Sequence, residues 1–278
     1  MEEMQQPGTP VDAAPAEAAG VEGSGVRLEV DGPVATVVLD RPEKRNAQTP
    51  AMWEALAGIG DSLDPQVRVV VLRGEGASFS AGLDRRMFTA EGIPGQGSLL
   101  GLTELDDEAL ADTIEGFQRA FTWWRRPGIV SVAAVQGHAL GAGFQLALAC
   151  DLRVVADDAR FAMLEPTLGL VPDLAGTKPL VDLVGYGRAL EICATGRAVE
   201  AAEAAEIGLA TVVVPGAELL DAVRDLTDAL VAPPRGAVTG TKRLLQGAVE
   251  RGYDEQRAAE RREQVSRLRE LAAAMRAS

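Results

Sequence analysis

Apolar and polar side chains alternate at the start of the patterned region, with Val26, Leu28 and Val30 separated by Arg27 and Glu29. Asp31-Gly32 supplies a turn and the run Val34 to Leu39 returns, so the pattern predicts a β-hairpin. Three later runs, "VRVVVLRG", "PGIVSVAAVQG" and "DLRVVAD", are apolar without alternation. The first two predict strands covered on both faces, and the third predicts another strand. Between the hairpin and the first run, "DRPEKRNAQTP" predicts a polar loop, and "TPAMWEALAGIGDSL" a helix with Thr49 as N-cap and Pro50 in the first turn. "EGASFSAGLDRRMF" reads as a small-residue loop entering a short helix. Glu91 to Gly101, with four glycines and a proline, reads as a mobile segment. Leu110, Ile114, Phe117, Phe121 and Trp124 recur at helical spacing and form one apolar stripe. From about residue 177 the pattern is mainly helical: "TKPLVDLVG", "RALEICATG" and "VEAAEAAEIG", a short strand "ATVVV", then three longer helices. The last helix carries a narrow stripe of Val265, Leu268, Leu271 and Met275 in a charged background, as on a surface or against a partner subunit.

Composition narrows the picture by exclusion. No apolar stretch reaches the roughly 20 residues of a membrane span. The first 25 residues are acidic and rich in Pro, Ala and Gly, unlike a signal peptide, which predicts a disordered tail and a cytoplasmic protein. A net charge of −14 argues against nucleic acid and anionic membranes as partners, but not against a small anion held by local cations. Cys150 and Cys193 lack the number and spacing of a disulfide framework or a metal site, so both are expected in the core. His138 is the single histidine and no G-x-S-x-G elbow accompanies it, which argues against a Ser-His-Asp triad. The expected organisation is a tail (1–25), a strand-rich core (26–206) and a helical C-terminal region (207–278).

Two stretches share a chemical logic. In "SFSAGLD" and "ALGAGFQ", small residues let the backbone approach a ligand, and a helix follows. Helix N-termini leave N–H groups unpaired, and two such donors, one from each loop, would make an oxyanion hole. With "LDRPEKRNAQ" before them and "VAAVQGHALGAGFQLALACDLRVVADDARFAMLEPTLGLVPDLAGT" containing the second, these motifs resemble the crotonase superfamily of enoyl-CoA hydratases and isomerases. The resemblance covers about residues 26 to 270. It implies an α/β fold: a crotonase-like spiral of ββα units with a helical C-terminal trimerisation region, in trimers or hexamers. It also implies a coenzyme A thioester as substrate, no separate cofactor and no metal. Leu83 and Ala142 match the family's oxyanion donors. Ser80, Ala81, Gly82 and Asp84 match its adenine-binding segment. Arg45, with Arg41 and Lys44, lies where the family often places a phosphate-binding cation, and Lys242 or Arg243 could reach in from the C-terminal region. The 91–101 segment and the Phe117/Phe121/Trp124 helix are expected to shape the acyl pocket.

The family's hydratases carry two glutamates. Glu165 matches the second, but the first position holds Gln145, which can hold a water and cannot take its proton. Asp173, eight residues after Glu165, occupies a position that is aspartate in members resembling dienoyl-CoA isomerases. Asp173 could equally be a turn or cap residue before the helix at Thr177. Three readings follow. The first is an isomerase that shifts the double bond of an enoyl-CoA or dienoyl-CoA, with Glu165 and Asp173 as catalytic groups and Gln145 lining the pocket. The second is a hydratase in which Asp173 replaces the missing glutamate. The third is a non-catalytic acyl-CoA-binding protein.

Overall fold

A computed structural model describes residues 19–21 and 23–277; the expected tail lies largely outside the described residues. The strands are β1 (Ala19–Val21), β2 (Val26–Asp31), β3 (Val34–Leu39), β4 (Val69–Gly74), β5 (Val130–Val135), β6 (His138–Leu140), β7 (Leu152–Ala156), β8 (Arg160–Ala162), β9 (Val199–Glu200) and β10 (Val212–Val214). The helices are α1 (Pro50–Ser62), α2 (Leu99–Leu102), α3 (Asp107–Thr122), α4 (Ala142–Ala149), α5 (Thr177–Val184), α6 (Tyr186–Thr195), α7 (Ala201–Glu206), α8 (Leu219–Val231), α9 (Arg235–Ala248) and α10 (Tyr253–Ala277).

The main sheet has the order β1-β2-β3-β4-β5-β7-β10, antiparallel from β1 to β3 and parallel from β3 onward. Its unbroken apolar runs are explained by cover on both faces. Val70, Leu72, Ala133, Val135 and Val155 join the large core with α1, α3 and α4, while Val69, Val71, Val132, Ala134 and Val154 pack with Leu219 and Val223 of α8. Thr49 caps α1 as expected, its hydroxyl accepting from Met52 N–H. The 91–101 segment takes the form of a defined turn. Ile93 is buried, bonds Gly97 and is followed by Ser98, whose hydroxyl caps α2.

A second sheet, β6-β8-β9, escaped the apolar pattern because its strands are only two or three residues long. It extends toward the N-terminus through two parallel bridges, Ser80 with Ala139 and Gln48 with Leu83. Segments from successive turns of the spiral are thereby stacked side by side: Gln48, then Ser80 to Leu83, then β6, then β8. That stacking positions the site.

The C-terminal region is fixed to this core by an ion pair between a buried lysine and a half-buried aspartate. Lys242 of α9 donates to Asp151 Oδ2 at 2.6 Å and to the carbonyls of Ile129 and Arg126 at 2.7 and 3.0 Å. Arg243 pairs with Glu263 at 2.8 Å. Lys242 is held inside the protein by these three acceptors, whereas Arg243 remains largely exposed in its ion pair. Lys242→Met is expected to destabilise the fold by about 2 kcal/mol, since it removes the charged donor of a half-buried carboxylate that keeps only Ser131 and the more distant Arg125. A urea-denaturation midpoint equal to the parent's would show that the ion pair does not anchor the helix.

Candidate active site

The first loop is held from beneath by a chain of buried polar groups. Trp53 Nε1 donates to Gln48 Oε1 at 2.7 Å, Gln48 Nε2 donates to Ser80 Oγ at 3.1 Å, and Ser80 Oγ donates to the Asn46 carbonyl at 2.8 Å. Asn46 Nδ2 reaches the carbonyls of Ser78 and Glu75 at 2.8 and 2.9 Å. Residues of the predicted polar loop are therefore buried supports, which the sequence reading missed. The one signal was that "NAQ" offers amides where the surrounding loop offers charges.

Gln48 bonds on either side of Leu83, donating to Gly82 O at 2.7 Å and accepting from Asp84 N–H at 2.8 Å. In a parallel pairing of this kind the straddled residue turns its own N–H away from the partner. The Leu83 N–H is thus left without an acceptor among the described residues. Ala142 is the first residue of α4, and its N–H is one of the unpaired donors at the helix start. The two loops are in contact: a Cβ on Gly82 would lie 2.5 Å from Leu140 O and 3.6 Å from Ala142 N. Gly143 packs as tightly on the Ser80 carbonyl, where a Cβ would come within 2.5 Å. The structure therefore brings the two predicted donors together.

Glu165 lies over the second loop. A Cβ on Gly141 would stand 3.3 Å from its Oε1, and the φ of +50° at Gly141 already favours glycine. Gln145, fully buried, donates from Nε2 to Glu165 Oε1 at 2.7 Å. Its own Oε1 accepts from Leu174 N–H at 2.9 Å and Gly176 N–H at 3.3 Å. The other carboxylate oxygen of Glu165, Oε2, is buried with no hydrogen-bond partner among the described residues. Burial pushes the Glu165 carboxyl above its ordinary range; the backbone N–H groups of Glu165 and Leu164 and the Gln145 amide oppose that shift, and the charge of Asp173 adds to it.

Asp173 does not cap the following helix, whose cap position is Gly176. It is half-buried, burial raises its carboxyl as well, and its backbone carbonyl accepts from Gln118 Nε2 at 2.6 Å. The fold places two protonatable carboxyls within electrostatic reach of each other, and packs one of them, Glu165, against the Gly141 turn. Closely placed carboxyls separate their proton affinities, so one can give a proton while the other takes one. The half-buried Cys193 thiol, missed as a neighbour of the site, is pushed up by burial and by the charge of Glu165. Cys150 is in the core as expected, its thiol pushed up to about 12 by burial.

The remaining predicted positions divide by side chain. Ser80 and Asp84 are occupied internally, Asp84 by Arg86 at 2.9 Å and Arg41 at 3.1 Å, so Arg41 also serves the fold. Only backbone groups of the segment remain to meet a ligand. The N–H of Ala81 is taken by the Arg45 carbonyl and the carbonyl of Gly82 by Gln48. The carbonyls of Ala81 and Leu83 have no partner among the described residues. Arg45, Lys44 and Arg85 are exposed and carry no ion pair among the described residues. His138 meets Ser78 Oγ at 3.2 Å and takes no part in the carboxylate cluster. Of the aromatic stripe, Phe121 and Trp124 are buried in the core. Phe117 helps line a cleft of about 700 Å³ between α1 and α3, with Gly95 and Gln96, and none of the candidate site residues borders it.

The enoyl-CoA hydratase/isomerase family model matches residues 29–274. A carnitinyl-CoA dehydratase of Salmonella arizonae is 36% identical over 240 residues, spanning 82% of this chain and 84% of that protein. A Thermobifida fusca protein provisionally assigned as an enoyl-CoA hydratase and solved with CoA is 49% identical, with a TM-score of 0.85 over 90% of this chain and 95% of its own. The same protein solved with acetoacetyl-CoA is similar with a TM-score of 0.86, over 89% and 96% of the two chains.

Proposed function

This chain belongs to the enoyl-CoA hydratase/isomerase family, and from that premise we propose that it moves a proton on the carbon skeleton of an enoyl-CoA through an enolate. One observation carries the reading. Glu165, whose Oε2 has no partner among the described residues, packs against Gly141, the residue before the Ala142 donor that starts α4. Glu165 takes the C2 proton of a 3-enoyl-CoA, and the C–H electron pair forms the C1–C2 double bond. The thioester oxygen gains the negative charge and accepts from Leu83 and Ala142 N–H. Returning a proton at C4, from Glu165 or Asp173, leaves a 2-enoyl-CoA. A preorganised donor of this kind lowers a barrier by about 3 kcal/mol. Arg45, with Lys44 and Arg85, supplies the unpaired positive charge for the CoA phosphates, and the carbonyls of Ala81 and Leu83 face the adenine. Coenzyme A enters as part of the substrate, and the chemistry calls for no other cofactor.

A second reading, reversible water addition, is favoured by the dehydratase relative and by the Asp173 carboxylate, which no other side chain bonds. In that reading Asp173 serves the water and Glu165 the C2 proton. The exposed apolar residues Leu168, Leu170 and Val171, between the two carboxylates in sequence, fit cover by an acyl chain or by a neighbouring copy in a trimer. The α10 stripe of Val265, Leu268, Leu271 and Met275 is likewise exposed in the single chain and fits the same trimer.

Incubation with crotonyl-CoA, 3-hexenoyl-CoA and a 3,5-dienoyl-CoA, followed by double-bond absorbance, separates the readings. Turnover of the 3-enoyl or dienoyl substrate at a rate exceeding crotonyl-CoA hydration is expected. Asp173→Asn should slow the dienoyl substrate by at least ~10-fold, within the usual contribution of a general acid or base. Faster hydration of crotonyl-CoA, abolished by Asp173→Asn, would transfer the assignment to the second reading. Tight acyl-CoA binding without turnover would leave a binding protein.

A further inference from the structure

We propose that Gln145 is a positioning residue for both carboxylates, its amide holding Glu165 by one end and the loop that carries Asp173 by the other. The inference rests on the reading of Glu165 and Asp173 as the proton-transfer groups.

Chemistry fixes the orientation of the amide. Leu174 and Gly176 present N–H groups, which only donate, so the atom facing them must be the amide oxygen. The NH2 end is then turned to Glu165 Oε1, and Oε2 is the oxygen left for the substrate. Both lone pairs of Gln145 Oε1 are taken, and the 2.7 Å contact with Glu165 leaves no room for a water between the two side chains. Gln145 therefore does not cradle a nucleophilic water beside Glu165, as a paired glutamate would. It is a strut.

The loop it holds is built to close on it. A Cβ on Gly176 would come within 2.7 Å of Gln145 Cγ, so only glycine lets the backbone reach the amide. Ala175, between the two tethered N–H groups, has a φ of +62°, a left-handed conformation that alanine avoids unless its neighbours impose it. Gln118 holds the Asp173 carbonyl from α3 independently, so removing Gln145 should loosen the loop without releasing it.

The two ends can be tested apart. Gln145→Met keeps the length and loses both tethers. Gln145→Glu keeps the acceptor for Leu174 and Gly176 and loses the donor to Glu165. The carboxyl carbon of Glu165 is followed by 13C NMR in protein labelled at the glutamate side chain, its signal assigned by its absence in Glu165→Gln. Exchange of the C2 protons of butyryl-CoA in D2O is followed across pH as the readout of proton transfer. Both variants should raise the pH at which Glu165 titrates, because the amide donor favours its charged form, and the acid limb of exchange should move up with it. The plateau exchange rate should fall about 10- to 100-fold in Gln145→Met, the scale of a misplaced catalytic group, and less in Gln145→Glu. Affinity for CoA should stay within about twofold of the parent, as the tethers lie away from the exposed cations.

A Glu165 titration unchanged in both variants would overturn the inference, as would equal plateau losses in the two. If Gln145→Met does not fold, the similar-sized Gln145→Glu still decides the Glu165 end. Exchange that survives in Glu165→Gln would refute the catalytic reading alone, and the NMR titrations would still judge the strut.

Discussion

Glu165→Gln is expected to lower the plateau rate of C2-proton exchange by about 10³- to 10⁴-fold, near the upper end of what a positioned base contributes. The substitution keeps the shape of the side chain and exchanges its proton acceptor for an amide. Its carbonyl can still accept from Gln145 Nε2, so the contact that orients the residue survives. What disappears is the basic lone pair on the unpartnered oxygen. The effect should therefore fall on kcat, with CoA affinity unchanged by titration calorimetry. In the parent, burial and the neighbouring Asp173 raise the Glu165 carboxyl, and the reacting form is the deprotonated one. Activity should then fall as pH drops through a midpoint above that of an ordinary glutamate. Residual exchange within tenfold of the parent would move the base to another group, with Asp173→Asn the next variant to measure.

Gly82→Ala is expected to cost about 10²- to 10³-fold in kcat, the loss that follows disturbance of an oxyanion donor. Two effects coincide at this residue. The φ of +83° is strained for alanine, and the new Cβ would sit 2.5 Å from a backbone carbonyl that cannot give way as a side chain does. Relief requires the first loop to move off the second, and Leu83 N–H moves with it. Gly58→Ala on α1 is the matched control, because a Cβ there meets nothing within 4 Å. It should leave kcat alone and stabilise the helix by about 0.5–1 kcal/mol. Equal kcat in Gly82→Ala and parent would show that the Leu83 N–H does not serve the oxyanion.

Much of the scaffold could be read from local pattern. The hairpin, the α1 cap at Thr49 and the strands covered on both faces follow from residues close in sequence, since turn chemistry, capping and side-chain period act over a few positions. The two glycine loops were legible for the same reason: positive φ and close approach demand small residues in place. The second sheet was not legible, because strands of two or three residues carry too little periodicity to register. Asn46 and Gln48 belong to a stretch whose pattern predicts only a polar loop, and the stacking of spiral turns buries them.

The roles of the polar side chains in the site belong to the tertiary structure. Gln145 could have faced water, substrate or protein; partners 20 and 29 positions away make it a strut. Asp173 could have capped a helix, and the backbone path through Gly176 frees it beside Glu165 instead. Lys242 could have met a phosphate, and Asp151, 91 positions earlier, holds it in the core. By itself the sequence determined where chain direction, burial and backbone freedom were constrained. The choice of hydrogen-bond partner required the tertiary structure, because a polar group's partner depends on which distant segment the fold brings within about 3 Å.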